Sequence, residues 1–436
     1  VINTELVKKT PRTGKIKKTT TNTELGITEW TLSNGVKVVI KPTAFKQDEI
    51  LLNAFSQGGL SLVTTEDLPS ANLAADVVSM MGLGNLSRTD LQKALAGKTV
   101  SVDASINAYS ETMSGSSSVK DLETMLQLIY LQFTAPRYDE DAYRTLVELL
   151  HNQLLNKDKN PKAVFADSVS VMGSNHSDRT ILWNVETLDK VSLEKALAVY
   201  KARFANPADF TFVFVGNIDP TDKATQKLIC QWLGGMKTNK YRETFRDNDV
   251  RTPAGILKNY FTRKMETTTA SNRIQYTSYD MPYTLANDLN MEMIGRVLST
   301  RYLESIRERE GGSYGVGCYG TVDMRPVPRA RLIMQFDTDP AKQEKLMSII
   351  HEEVDTIIKN GPLAVDLAML KDYEEDIEKN SYWSNIIYLY YTYGLNYVAD
   401  YQNAVNAITA QTVQSTLRDL VNAGNMFEVV MAPSEE

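Results

Sequence analysis

Histidine is scarce in this chain, with three residues in 436, and cysteine scarcer, with two. Cys230 and Cys318 are too few for a disulfide framework and lack CxxC spacing. His151, His176 and His351 never stand one helical turn apart. His351-Glu352-Glu353 opens like HExxH, in which two imidazoles a turn apart hold zinc, but position 355 is Asp355. The inverted form HxxEH fails as well, because position 354 is Val354. The three are read as ordinary helix-face or loop histidines, and no metal is expected on this chain. No run approaches the roughly 18 apolar residues of a membrane span, and candidates such as Phe210–Val215 are strand-sized, so no membrane span is expected. Net positive charge is missing too: 47 Lys and Arg face 54 Asp and Glu, a balance of −7. Residues 1–20 hold Lys8, Lys9, Arg12, Lys15, Lys17 and Lys18 against Glu5, a local +5, so the rest sums to −7 − 5 = −12. A body that acidic lacks a phosphate-binding surface, which argues against nucleic acid as a partner.

What is present is ordinary globular composition, 42% hydrophobic and 23% charged. The length is near three domains of roughly 150 residues, which predicts two large domains or three small ones. The first 25 residues are Thr- and Lys-rich without an apolar signal region and read as a basic linker. A start at Val1 suggests a piece of a longer protein or a trimmed mature form, whose targeting signal would lie elsewhere. The compartment stays open, a cell-envelope or periplasmic location fitting a bacterial source. In WTLSNGVKVVI (Trp30–Ile40), Asn34-Gly35 between alternating segments signals a hairpin. Ile50–Ser56 reads as a strand, Ser70–Met81 as a helix stopped by Gly82 and Gly84, and Thr99–Tyr109 as a strand. Helices are expected at Val119–Phe133, Asp139–Leu155 and Ser192–Arg203, followed by an apolar strand within Thr211–Asp219. The polar stretch Met236–Lys258, broken at Pro253-Ala254-Gly255, separates a first domain (26–235) from a second (259–436).

The second half repeats the plan of the first. Ser116–Ile129 lies over Asp337–Ile350 at an offset of 221, with Met125 over Leu346 and Ile129 over Ile350. Arg137–Leu155 lies over Pro362–Asn380 at 225, and TFVFVG over MFEVVM at 215. Three ordered matches predict a duplicated domain of about two hundred residues. Hairpin signals ahead of grouped helices predict an α+β fold of two homologous domains, each an antiparallel sheet with helices mainly on one face.

Most motifs have a plain reading. Asn217 and Asp219 suit a turn closing the strand before them. Tyr382–Tyr393, with aromatics at helical spacing, reads as a packing helix rather than a stacking platform. Gly82 and Gly84 lack the strand and Lys-Ser/Thr of a phosphate loop and read as a helix cap. The informative segment is Arg301–Gly320, RYLESIREREGGSYGVGCYG. A helix from about Leu285 carries Ile294, Leu298, Tyr302 and Ile306 at four-residue steps, and Gly311-Gly312 ends it. A strand follows whose Gly315, Gly317 and Gly320 are costly unless another backbone comes close. Arg307 and Tyr314, seven residues apart across this turn, could reach one point and stabilise a carbonyl oxygen gaining negative charge. An arginine snorkelling at a helix C-terminus beside a strand tyrosine is the plainer reading of the pair on the residues alone.

The run Arg307-Glu308, Gly311, Ser313-Tyr314-Gly315-Val316-Gly317 resembles the substrate-binding Arg and Tyr of the pitrilysin/insulinase family of zinc metallopeptidases. LSNGVKVVI (Leu32–Ile40), Gly82–Val102 and Val215–Asp219 are similar to the family as well, so the resemblance runs from about Leu25 to Ser434. It implies a clamshell of two halves, each of two homologous α+β domains, enclosing peptides. The family's zinc helix carries HxxEH, where this chain has Ala75-Asp76-Val77-Val78-Ser79. Glu148 sits near the place of the family's third ligand, without histidines to join it. The resemblance therefore implies the non-catalytic C-terminal half or subunit, inactive alone and free of zinc. Its partner would be a zinc-bearing N-terminal half or subunit, its substrate a peptide, and Arg307 and Tyr314 would act as catalytic and substrate-binding residues on the scissile carbonyl. A scaffold or binding protein of the same fold with no catalytic role is the other reading.

Overall fold

In the computed structural model, which describes residues 5–313, 315–371 and 377–434, the described strands form two sheets. The first sheet holds β1 (Ile16–Asn22), β2 (Ile27–Leu32), β3 (Lys37–Pro42), β4 (Ile50–Gln57), β5 (Val100–Ile106), β6 (Ser110–Ser117) and β7 (Thr211–Gly216), in the order β1-β2-β3-β7-β4-β6-β5. The second holds β8 (Ile256–Arg263), β9 (Ala270–Ser278), β10 (Gly317–Asp323), β11 (Arg329–Thr338) and β12 (Asn425–Pro433), in the order β10-β11-β9-β12-β8.

The two sheets share one topology. In each, the first common strand runs parallel to the last, β3 to β7 and β8 to β12. The last strand is antiparallel to the second, and the remaining neighbours are antiparallel throughout. Thus β3-β7-β4-β6-β5 corresponds to β8-β12-β9-β11-β10. Helices repeat in the same order: Leu68–Met81 with Leu285–Tyr302, Leu122–Thr134 with Gln343–Asn360, Pro161–Gly173 with Asn380–Tyr393, and Leu193–Arg203 with Ala410–Asn422. The expected duplication is therefore a repeat of fold. The expected antiparallel sheets each gain one parallel pair, because the closing strand returns after a long helical crossover and inserts between the first two strands.

Contacts divide the chain into two compact units that interleave in sequence. One comprises Val1–Leu154, Trp183–Arg246 and Asp376–Ala399, and the other Leu155–Leu182, Asp247–Glu375 and Asp400–Glu436. In the first unit the helices Leu68–Met81 and Leu122–Thr134 pack Val77, Val78, Met125 and Ile129 on one face of the sheet, against Val38, Ile40, Leu52, Phe212 and Phe214. Its other face buries Val39, Phe55, Val213 and Val215 under Ile386 and Ile387 of the helix Asn380–Tyr393. Burial on both faces explains why β3 and β7 are apolar without alternation. Each such side chain contributes roughly 1.5–3 kcal/mol. In the second unit a helical core around Ile274, Leu298, Leu332 and Leu417 covers one face. On the other, Phe165 of the helix Pro161–Gly173 packs on Phe427, Val429 and Met431 of β12.

The Asn34-Gly35 hairpin forms as expected, with Gly35 at φ 90° and its N–H donating to Leu32 O. Residues Ile16–Asn22, read as linker, form β1 and pair with β2. Threonines favour extended backbone, and an edge strand exposed along most of its length shows no apolar alternation to betray it. The tyrosine-rich run packs as read: Tyr388 meets Phe55 edge-on, with ring centroids 4.9 Å apart, and Lys41 lies 4.0 Å over Trp383.

Candidate functional site

Thr284 caps the helix Leu285–Tyr302, its hydroxyl accepting from Asn287 N. The helix does not stop at Tyr302. Leu303–Glu310 continue it as a π-helix, a form common at functional sites, and Gly311 (φ 68°) and Gly312 (φ 80°) end it. Ile294, Leu298, Tyr302 and Ile306 are all fully buried, so the four-residue stripe holds into the π segment. Ile306 O accepts from Gly311 N at 2.9 Å, a five-residue bond that closes the wide turn. Arg307 stands on this segment with its side chain exposed.

Ion pairs clamp the segment at both ends. Upstream, Arg301 pairs with the buried Asp366 at 2.8 Å and with Glu304 at 3.1 Å. Downstream, Lys342 Nζ donates to Glu310 O at 2.5 Å, and Lys345 pairs with the Glu310 carboxylate at 2.9 Å. The hydrogen bond from Lys345 holds the Glu310 carboxyl below its ordinary pKa. Among the described residues the Arg307 side chain makes no hydrogen bond or ion pair. Tyr314 lies outside the described residues.

β10 follows at the edge of the second sheet. The expected close approach holds at Gly320, where an added Cβ would sit 2.2 Å from Met291 O, and at Gly295 of the facing helix, 2.8 Å from Gly320 N. Gly315 meets nothing within 4 Å and Gly317 only Gln335 O at 3.6 Å, so close packing does not explain those two. Burial pushes the Cys318 thiol far up, which removes it as a nucleophile. Beside the turn, Gly312 and Ser313 line a cleft of about 880 Å³ with Thr267–Thr269, Asp337–Ala341 and Ser434.

In the first unit the window matching HxxEH holds few donor atoms. Ala75 and Val78 offer no donor atom, Val77 and Val78 face the core, and Asp76, Ser79 and Glu148 are exposed. That donor set does not fit zinc. Among the described residues no group of three or more His, Cys, Asp or Glu is placed to hold a metal ion. His351 is instead engaged in packing chemistry, Nδ1 to Tyr276 Oη at 2.5 Å and Nε2 to Glu428 Oε1 at 2.8 Å. Asn217 Nδ2 donates to Gln47 O, and Asp219 accepts from Thr221, as turn residues do. No helix of the described residues is long and apolar enough to cross a membrane.

Comparisons with known proteins bear on the family likeness and the fold. A family described as "Peptidase M16 inactive domain" matches residues 190–373. The chain is 27% identical over 404 residues to a "Zinc protease PQQL-like" of Arabidopsis thaliana, covering 87% of this chain and 39% of that protein. It is 24% identical over 356 residues to the "Probable zinc protease PqqL" of Escherichia coli, covering 81% and 37%. It thus spans about two fifths of these relatives' length. Among solved structures, the periplasmic protease PqqL of Escherichia coli superposes with a TM-score of 0.84 at 20% identity, over 99% of this chain and 48% of that one. A peptidase M16 inactive domain from Pseudomonas fluorescens superposes with a TM-score of 0.71 at 16% identity, over 94% and 98%.

Proposed function

We propose that this chain, similar to the zinc proteases above and matched by the peptidase M16 inactive domain over residues 190–373, is the substrate-binding, zinc-free half of a peptide-degrading or peptide-processing zinc metallopeptidase. The observation that carries this reading is the clamped π segment presenting an exposed Arg307, unpaired among the described residues, four residues before the Gly311 turn. In this reading Arg307 and Tyr314 donate hydrogen bonds to the scissile carbonyl of a bound peptide. Donors fixed in advance stabilise the oxygen most when it carries negative charge, so the gain falls on the transition state rather than on binding. A cationic donor strengthens this, because charge-assisted hydrogen bonds are roughly twice as strong as neutral ones. A partner half, fused or separate, would hold zinc, which would supply Lewis acidity there.

The test is kinetic and uses this chain assembled with its zinc-bearing half. Arg307→Ala or Tyr314→Phe should each lower kcat on the order of 10²–10³, with KM changed far less. Unchanged kinetics in both variants would eliminate the catalytic role and leave a scaffold of the same fold.

A further inference from the structure

On the face of the second sheet turned away from its helical core, β10, β11 and β9 align Gly317, Gln335 and Arg273 in one row and Thr321, Arg331 and Thr277 in another. Between the rows lies Tyr319, half exposed, beside the buried Ile333 and Gln275. Cations exceed anions here. Asp323 is shared by two arginines, Arg329 (2.9 Å) and Arg331 (2.6 Å). Asp337, further along β11, is taken by Lys162 at 2.6 Å. That leaves Arg273 without a carboxylate partner among the described residues. Its Nη1 donates to the neutral Gln335 Oε1 at 2.9 Å, the phenol of Tyr319 holds it, and its Nε is shielded from solvent with no acceptor. Burial, with Arg331 nearby, works against its charge. A guanidinium drawn partly out of water is ordinarily paired, so a neutral cradle around one leaves an anion's place open.

We infer that Arg273, with Tyr319 beside it, receives the carboxylate of an acidic side chain in a bound peptide. The site lies on the same strand system that follows the Arg307 turn, since Gly317 of its first row is only ten residues after Arg307. The inference rests on the peptide-binding reading above. It selects a substrate class, acidic peptides, that the overall charge of −7 would otherwise repel.

The test measures fluorescence anisotropy of the full chain with labelled, C-terminally amidated peptides that differ only in Glu or Gln at the central positions. The Glu peptide should bind about tenfold more tightly at low salt, with the advantage shrinking as salt rises. Arg273→Met should abolish the advantage while leaving Tm unchanged or higher, because it removes a poorly solvated, unpaired charge. Tyr319→Phe, at a half-exposed position, should reduce it less. Equal binding of the Glu and Gln peptides would overturn this inference and spare peptide binding. Binding of neither would overturn both. A third peptide, the Gln sequence with a free C-terminus, controls for the terminal carboxylate: if it binds as tightly as the Glu peptide, the side-chain assignment is refuted. A fall in Tm for Arg273→Met with the Glu preference intact would make Arg273 structural.

Discussion

The helices Leu68–Met81 and Leu285–Tyr302 hold the same place in two sheets of one topology, yet they end differently. The first stops at once, with Gly82 at φ 91° directly after Met81. The second runs on for eight residues as a π-helix and brings Arg307 out beyond the core before Gly311 turns the chain. The duplicated framework of sheet and covering helices has stayed alike, while the proposed role of Arg307 falls on what was added at a helix end. This is the pattern expected when a site is grafted on a fold rather than dictated by it.

The buried charges of the two units differ as well. In the first, Glu111 accepts from Ser56 Oγ at 2.7 Å and pairs with Arg203 at 3.3 Å, but burial dominates and raises its pKa. In the second, burial would raise Glu428 too, but the hydrogen bond and charge of His351, helped by Lys258 and Tyr260, outweigh it and hold the carboxyl below its ordinary value.

The largest expected effect tests whether the units stand separately. Phe165→Ala should cost about 3–5 kcal/mol in the second unit, and Ile387→Ala about 2–5 kcal/mol in the first, since each helix covers the far face of one sheet. Hydrogen exchange should show protection lost mainly in β12 for the former and in β7 for the latter. Equal loss in both sheets for both variants would break the comparison.

A smaller effect is the opposite response to acid. Glu428 has a depressed pKa, so its contribution is present above the ordinary glutamate value of about 4.3 and is lost as pH falls through the depressed value. Glu111 has a raised pKa, so its contribution is lost as pH rises from about 4.3 through the raised value. Exchange protection should therefore fall on acidification around β12 and rise around β6. Glu428→Gln should flatten the first response alone, and slopes of one sign in both sheets would contradict the assignment.

The smallest concerns equivalent helix starts. Ser192 caps Leu193–Arg203 through Lys195 N, whereas Thr409 caps Ala410–Asn422 in a reciprocal capping box with Thr412. Ser192→Ala should cost about 1 kcal/mol and Thr409→Ala somewhat more, read from urea midpoints. The reverse ranking would show that the box contributes nothing extra.

Elements with a strong period or a turn signature were legible from sequence: the Asn34-Gly35 hairpin, the helix ending at Gly82, the stripe from Ile294 to Ile306 and the close approach at Gly320. The π character of Leu303–Glu310 was not, because its buried stripe has the spacing of an α-helix and the wide turn is fixed by tertiary clamps such as Asp366 and Lys342. β1 was hidden by its exposure on an edge. Arg307 could be singled out by its place before Gly311-Gly312, whereas Arg273 could not. What sets it apart is that no carboxylate among the described residues pairs with it across β9, β11 and β10, and the acidic total of the chain masks the local excess of cations. The pairing of helix Asn380–Tyr393 with the first sheet was likewise invisible, since nothing in a tyrosine-rich run says which of two similar sheets it covers.

That pairing has a consequence for synthesis. The first sheet is complete once β7 ends at Gly216, but Ile387, which covers its far face, is made 387 − 216 = 171 residues later. At about 5–20 residues per second the nascent unit waits on the order of ten to thirty seconds with Val39, Phe55, Val213 and Val215 uncovered. Gene order thus builds in an interval of stickiness that shortening the intervening chain would reduce and that a ribosome-associated chaperone would be well placed to cover.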